Sequence, residues 1–288
     1  PTFKKFDFVT HSLGNFVLRS FMKEYEIDVI NKVVFACPPF RGSLEIVKAA
    51  LVGQGLFGWV KTKTRKIIRS MPGALELLPT YKGCARFSGS HGEVDFFDQS
   101  HWQSNVTSSR GGQDSARLAK KFKAALKVAW ETVDTGLLDL ADLPEKVRDR
   151  MLVIARHGSD TMQEVDVTKS RSASGVRNLV DLEHARLTEH GDGTVPHVSS
   201  CCYWDCIQTL VLTDNWYDYI GRALSYPLND RHAFVLNDER VQRLISRFLS
   251  NETFNHRSPG DQAKVVKGLI PAPVNEDGDP MGFKVVWE

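Results

Sequence analysis

The sequence predicts an α/β fold with a mostly parallel sheet, and three observations predict it. A compact apolar run at Phe6–Val9 passes through a tight "THSLG" turn into an amphipathic helix, and a second apolar run, "VVFA", follows. Two more short apolar runs, "MLVIA" and "TLVLT", return later in the chain, each sized like a buried strand. A last amphipathic segment, "ERVQRLISRFL", closes the pattern. Strand, helix and strand in immediate succession make a βαβ unit, which implies parallel pairing.

Taken in order, Phe6, Phe8 and Val9 make the first strand, read as buried and parallel. Phe16, Val17, Leu18, Phe21, Met22 and Tyr25 recur at helical spacing and predict a helix with one buried face. The strand Val33–Ala36 ends at Pro38 and Pro39, which offer no N–H to a ladder. From about 43 to 150 the pattern is helical and irregular, too long for one crossover, and reads as an inserted cap. Within it, "DSARLAKKFKAALKVAWETV" should turn Leu118, Phe122, Leu126 and either Ala129 or Trp130 inward. The stretch "AALVGQGLFGWV" has two readings: Leu51, Leu56, Phe57 and Trp59 face a lipid on a glycine-hinged lid, or they pack on the helices of the sheet.

After the strand Met151–Ala155 comes a polar segment reaching His190, then the strand in "TLVLT" and a long loop carrying Trp216, Tyr217 and Tyr219. Val241, Leu244, Ile245 and Phe248 mark the closing helix. The core thus runs over 1–250. Residues 251–288, rich in proline, glycine and charge, read as a C-terminal extension or tail.

A chain of 288 residues with 42% hydrophobic and 25% charged residues is an ordinary globular composition, which excludes disorder as a whole. Its net charge of +2 creates no field that selects nucleic acid, and the basic run Lys61–Arg69 reads as a solvated face, with a membrane-surface role left open. No apolar stretch is long enough to span a bilayer. The chain begins at Pro1 rather than Met, so the natural N-terminus, with any targeting segment, is expected upstream. Cys37, Cys84, Cys201, Cys202 and Cys206 form no even disulfide framework, which favours a reducing compartment such as the cytoplasm. His197 precedes three of these cysteines, but paired C-x-x-C units are missing, so no metal is assigned and no cofactor is expected.

The chemistry centres on Ser12. A serine on a sharp strand-to-helix turn is lifted clear of the sheet, and the Leu13 N–H behind it points at the helix start, where negative charge is stabilised. This is the nucleophile elbow G-x-S-x-G with Thr10 in place of the leading glycine; the bland alternative is a serine in an ordinary turn. A serine nucleophile needs a histidine base and a carboxylate to orient that base. In the order Ser, Asp, His the sequence offers Asp192 in "GDGTVP", or Asp160 just after "MLVIA", and then His232 before the last helix. Either aspartate is otherwise a turn residue bonding its own backbone. His11, beside Ser12, is expected to point away from it.

These motifs together resemble the lecithin:cholesterol acyltransferase group of α/β-hydrolases. The resemblance rests on "THSLGN", "PPFRGS", "SMPGALELLP", "GDGTVP" and "HAFVLND" in that order. It implies an α/β-hydrolase with a helical cap insertion, a triad of Ser12, Asp192 and His232 that prefers Asp192 to Asp160, an oxyanion donor at Leu13, and acyl-ester chemistry on lipid-like substrates. It also implies that the N-terminal strands of the sheet, with the loop giving another oxyanion donor, would precede Pro1. Peripheral membrane contact through the cap is compatible with it; no nucleic-acid partner is implied, and the oligomeric state is not specified. A reading from another class remains beside it: a non-catalytic hydrolase-like binding module or inactive fragment.

Overall fold

The structure is a computed structural model that describes residues 5–25, 27–53, 61–89, 92–107, 113–172, 175–212 and 231–251. Leu56, Phe57 and Trp59, the aromatics Trp216, Tyr217 and Tyr219, and the C-terminal extension after Asn251 lie outside the described residues. In chain order the elements begin with β1 (Phe6–His11), α1 (Gly14–Glu24) and β2 (Ile30–Ala36). Next come α2 (Leu44–Leu51), α3 (Lys61–Ile68), α4 (Pro72–Leu75), β3 (Ala85–Phe87), α5 (Ser104–Thr107) and α6 (Gln113–Glu131). The chain continues with α7 (Glu145–Arg148), β4 (Met151–Arg156), β5 (Thr161–Ser172) and β6 (Gly175–Thr188). It ends with α8 (His197–Ser200), β7 (Gln208–Leu212) and α9 (Glu239–Leu249).

The architecture is α/β. Two compact units divide the chain, the first from the described parts of Pro1–Phe40, Leu137–Thr161 and Thr188–Glu288, the second from those of Arg41–Gly136 and Met162–Leu187. The first unit holds a four-stranded sheet in the order β1-β2-β4-β7, parallel throughout. Alternation along its inner strands divides the core between two faces. Val33, Phe35, Met151 and Val153 pack with Leu18 and Met22 of α1, while Val34, Ala36, Leu152 and Ile154 pack with Val241, Leu244 and Phe248 of α9. Each of the larger side chains among them, fully buried, contributes about 1.5–3 kcal/mol relative to exposure.

Two expectations change here. The first strand is not buried: β1 pairs with β2 on one side, and Phe6 and Val9 are 50% and 40% exposed. Val17, counted with the buried face of α1, is 67% exposed. Arg19 takes a buried place instead, its Nε donating to the Leu138 carbonyl at 2.9 Å and its guanidinium lying over the Phe40 ring. A planar cation of this kind can stack on aromatic faces at the edge of an apolar core while it donates to a backbone carbonyl there. At the other face, Lys32 of β2 reaches the last carbonyls of α9, those of Phe248 and Leu249, where positive charge favours a helix C-terminus.

In the second unit two of the sequence motifs meet. Gly42 of "PPFRGS" has φ +77°, and a Cβ there would lie 2.2 Å from the Leu78 carbonyl oxygen of "SMPGALELLP". The Ser43 amide donates to the Leu77 carbonyl at 2.8 Å and the Thr80 amide to the Arg41 carbonyl at 2.9 Å, which leaves room only for glycine between them. Ser43 also caps α2 by accepting from the Glu45 amide. In α6 the inward residues are Phe122, Leu126 and Ala129, whereas Trp130 is 41% exposed. The polar segment expected up to His190 is in fact two long strands, which with β3 form a sheet in the order β3-β5-β6. Its apolar signal is short, Val165 and Val167 being the buried alternates, while Arg86 and Arg186 meet Asp166 at 3.1 and 3.3 Å. The cap read from sequence at about 43–150 overlaps this unit over 43–136, and β5 and β6 add to it.

Candidate active site

β1 and β2 end level, His11 opposite Ala36, and the chain then turns sharply at Ser12, whose φ is +52°. A non-glycine residue in that region costs about 1–3 kcal/mol, so the surroundings must hold it there. They do so with hydrogen bonds: the Ser12 amide donates to the Ala36 carbonyl at 3.2 Å, and the buried Asn15 donates from Nδ2 to the Ser12 carbonyl at 2.6 Å. Thr10 donates its hydroxyl to Asn15 Oδ1 at 2.7 Å. Thr10 therefore fits where the motif has glycine; even a Cβ at Gly14 would meet the Thr10 Cβ at an ordinary 3.9 Å. Leu13 then opens α1 as its N-cap, and its amide donates no hydrogen bond to a described residue.

Asp192 rides on a loop between β6 and α8. Gly191 is needed there because a Cβ would fall 2.4 Å from Thr161 Oγ1, and Gly193 because its φ is +95°. Thr161 fastens the loop, accepting from the Gly193 amide at 2.9 Å while donating to the Ser159 carbonyl at 2.7 Å. Asp192 Oδ1 accepts from the Thr194 and Val195 amides at 2.9 and 2.7 Å, and Oδ2 lies 2.8 Å from His232 Nδ1. Burial pushes this carboxyl up, since it is 2% exposed, but His232 and the two amides outweigh that and hold it below the usual carboxylate range. Asp160, the other aspartate considered from sequence, is exposed.

His232 completes the arrangement, with Nε2 2.8 Å from Ser12 Oγ. A carboxylate only accepts, so Nδ1 carries a proton toward Asp192, and in the neutral ring Nε2 presents its lone pair to the serine hydroxyl. Arg231 anchors the approach by donating to the His157 carbonyl at 3.0 Å. Beyond His232, Asp238 caps α9 and pairs with Arg156 at 3.0 Å. Ser12, Asp192 and His232 are thus brought together, with the Leu13 amide adjacent.

Sequence reasoning missed three neighbours. His11 does not point idly away: its Nε2 donates to the His232 carbonyl at 2.8 Å, and the two rings lie 5.0 Å apart. Cys37, fully buried at φ +43°, has its thiol within 4.8 Å of a carboxylate oxygen of Asp192; burial and that carboxylate push the thiol well up. Thr161 is the third. The level ends of β1 and β2 make Ser12 and Cys37 neighbours, a relationship legible only once the register is known. Of the cysteines after His197, Cys201 is fully buried, and burial pushes its thiol up to about 12. Among the described residues, two groups of three have ligand atoms within 4.8 Å of one another: Cys37, Asp192 and His232, which belong to the site just described, and His157, His190 and His197.

Fold and site together define an α/β protein with a serine on a strand-to-helix elbow, hydrogen-bonded to a histidine and through it to a buried carboxylate. The sequence profile of the family described as Lecithin:cholesterol acyltransferase matches residues 3–110, which bears out the resemblance over the first three motifs. Among solved structures, a chain of "The crystal structure of Tle4-Tli4 complex" is similar with a TM-score of 0.47 and 13% identity, over 74% of this chain and 53% of that one. This chain therefore spans about half the length of that one. No curated protein matches the chain. Among the described residues, no helix is long and apolar enough to cross a membrane.

Proposed function

We propose that the protein is a serine ester hydrolase or O-acyltransferase acting on lipid-like acyl esters. The observation that carries this reading is the unbroken relay from Ser12 Oγ to His232 Nε2 and from His232 Nδ1 to Asp192 Oδ2, each step 2.8 Å. The match to the lecithin:cholesterol acyltransferase profile over residues 3–110 supports the substrate class.

In this mechanism Ser12 Oγ attacks the acyl carbonyl while His232 Nε2 takes the hydroxyl proton, and Asp192 stabilises the imidazolium that results. The Leu13 amide, which has no acceptor among the described residues, donates to the developing oxyanion. When the tetrahedral adduct collapses, His232 returns its proton to the leaving alkoxide and an acyl-enzyme on Ser12 remains. Water, deprotonated by His232, then releases a fatty acid, whereas an alcohol in the same place yields a new ester. His11 donates to the His232 backbone and so acts as a positioning residue, with the Cys37 thiol packed beside Asp192.

Labelling with a fluorophosphonate probe tests the reading. Wild-type protein should label once per chain, Ser12→Ala should not, and lipid esters presented in vesicles should compete with the probe. A folded wild-type protein that does not label would reject the proposal in favour of the non-catalytic binding module.

A further inference from the structure

Three imidazoles converge away from the serine. His157 follows β4, His190 precedes the Asp192 loop, and His197 opens α8. Their ring centroids lie 5.2, 5.7 and 5.8 Å apart, and one nitrogen from each is within 4.8 Å of those of the other two. Nδ1 of all three is buried and has no hydrogen-bond partner among the described residues. Buried polar atoms are normally paired, so three rings that cluster in this way and each carry an orphaned nitrogen call for a ligand.

The chemistry of the donors says which. His197 Nε2 lies 3.0 Å from the Arg156 carbonyl, which can only accept, so that nitrogen carries the proton and Nδ1 of the neutral ring keeps its lone pair. A backbone carbonyl on the far nitrogen is the usual support for a metal-bound histidine. The backbone is held independently of the rings: the His197 amide donates to the His190 carbonyl at 2.8 Å, Gly158 to Glu189 at 2.9 Å and His157 to Leu212 at 2.9 Å.

We propose that His157, His190 and His197 form a binding site for a divalent cation of the zinc type, which ties the loop carrying Asp192 to the end of β4. Three imidazole nitrogens suit a borderline cation such as Zn²⁺ or Co²⁺ over Mg²⁺ or Ca²⁺, which take oxygen ligands. Zinc–nitrogen bonds of about 2.0–2.1 Å in a tetrahedron place the nitrogens roughly 3.4 Å apart, so side-chain rotation must draw the rings together on binding. The fourth position falls to water. His190 is two residues from Asp192, so the cation would stiffen the acid's support without touching the reacting atoms. The site stands whether or not Ser12 is a nucleophile.

Titration of chelator-stripped protein with Co²⁺ tests this, read by the visible bands of four-coordinate cobalt, together with thermal unfolding in Zn²⁺. Wild type and Ser12→Ala should each bind one Co²⁺ per chain, and their midpoints should rise by about 5–10 °C at free metal roughly a hundredfold above the dissociation constant. His157→Gln and His190→Gln alter residues that are only partly buried, and each should weaken Co²⁺ binding at least tenfold and abolish the thermal shift. No cobalt band and no thermal shift in folded wild type would overturn the proposal. So would binding that persists undiminished in both glutamine variants, which would place the cation elsewhere.

Discussion

His11 Nε2 donates to the backbone carbonyl of His232 at 2.8 Å, so the residue immediately before Ser12 braces the residue whose ring faces Ser12. The brace crosses the same gap as the serine–histidine contact. Losing one such hydrogen bond forfeits about 1 kcal/mol, or roughly fivefold in rate if the loss falls on the transition state. His11→Ala should therefore lower kcat about fivefold with KM little changed, and His11→Gln, which keeps a donor, should recover part of it. Equal changes in folding stability for the two variants with unchanged kcat would assign His11 to packing alone.

Ser12→Ala should abolish ester turnover. Asp192→Asn should reduce kcat by about 10⁴, because a neutral amide neither holds the histidine tautomer nor stabilises its cation. Asp160→Asn, at an exposed site, should leave turnover close to wild type. Steady-state kinetics on a soluble ester separates these outcomes, and the reverse order for the two aspartates would reassign the acid.

The carboxyl of Asp192 is held below its unfolded value of about 3.9, so its contribution to stability is present above that pH and lost as pH falls through the folded value. Urea unfolding of wild type and Asp192→Asn should show a stability gap that is constant near neutrality and shrinks below about pH 4. A gap that persists unchanged in acid would mean the variant acts by displacing the loop rather than by removing the charge.

Gly191→Ala places a Cβ 2.4 Å from Thr161 Oγ1 and 2.7 Å from the Thr161 Cβ, and the Thr161 Cβ cannot rotate out of the way. The variant should lose more than tenfold in turnover and melt several degrees lower, because the clash moves the neighbouring Asp192. Gly14→Ala, facing only the Thr10 Cβ at 3.9 Å, should not lower the midpoint. Thermal melts on the pair test whether close approach, rather than glycine content, sets the difference.

Among the thiols, Cys37, Cys84 and Cys201 are buried, and burial pushes each of them up, Cys84 and Cys201 to about 12. Native protein at pH 8 should react with a thiol reagent at Cys202 and Cys206 and leave the other three protected until it is unfolded. Mass spectrometry of the trapped protein reads this directly, and fast labelling of Cys37 would contradict its contact with Asp192.

The apolar runs by themselves determined four parallel strands and the helices α1, α6 and α9, because a strand or helix that faces a core carries that period locally in its own residues. The order serine, aspartate, histidine was likewise legible, as were the glycines around Asp192, since each reflects a short-range backbone need. Whether Asp160 or Asp192 meets the histidine was not, on residue chemistry alone, because both sit in polar turns between the serine and the histidine. Nor was the sheet β3-β5-β6, whose strands interleave charge with few apolar residues and whose partners are far apart in the chain. The exposure of β1, the contact of Cys37 with Asp192 and the convergence of His157, His190 and His197 came only from the tertiary structure. Each depends on register and on loop ends meeting across the sheet, and a one-dimensional pattern carries no distance between residues that the fold alone brings together.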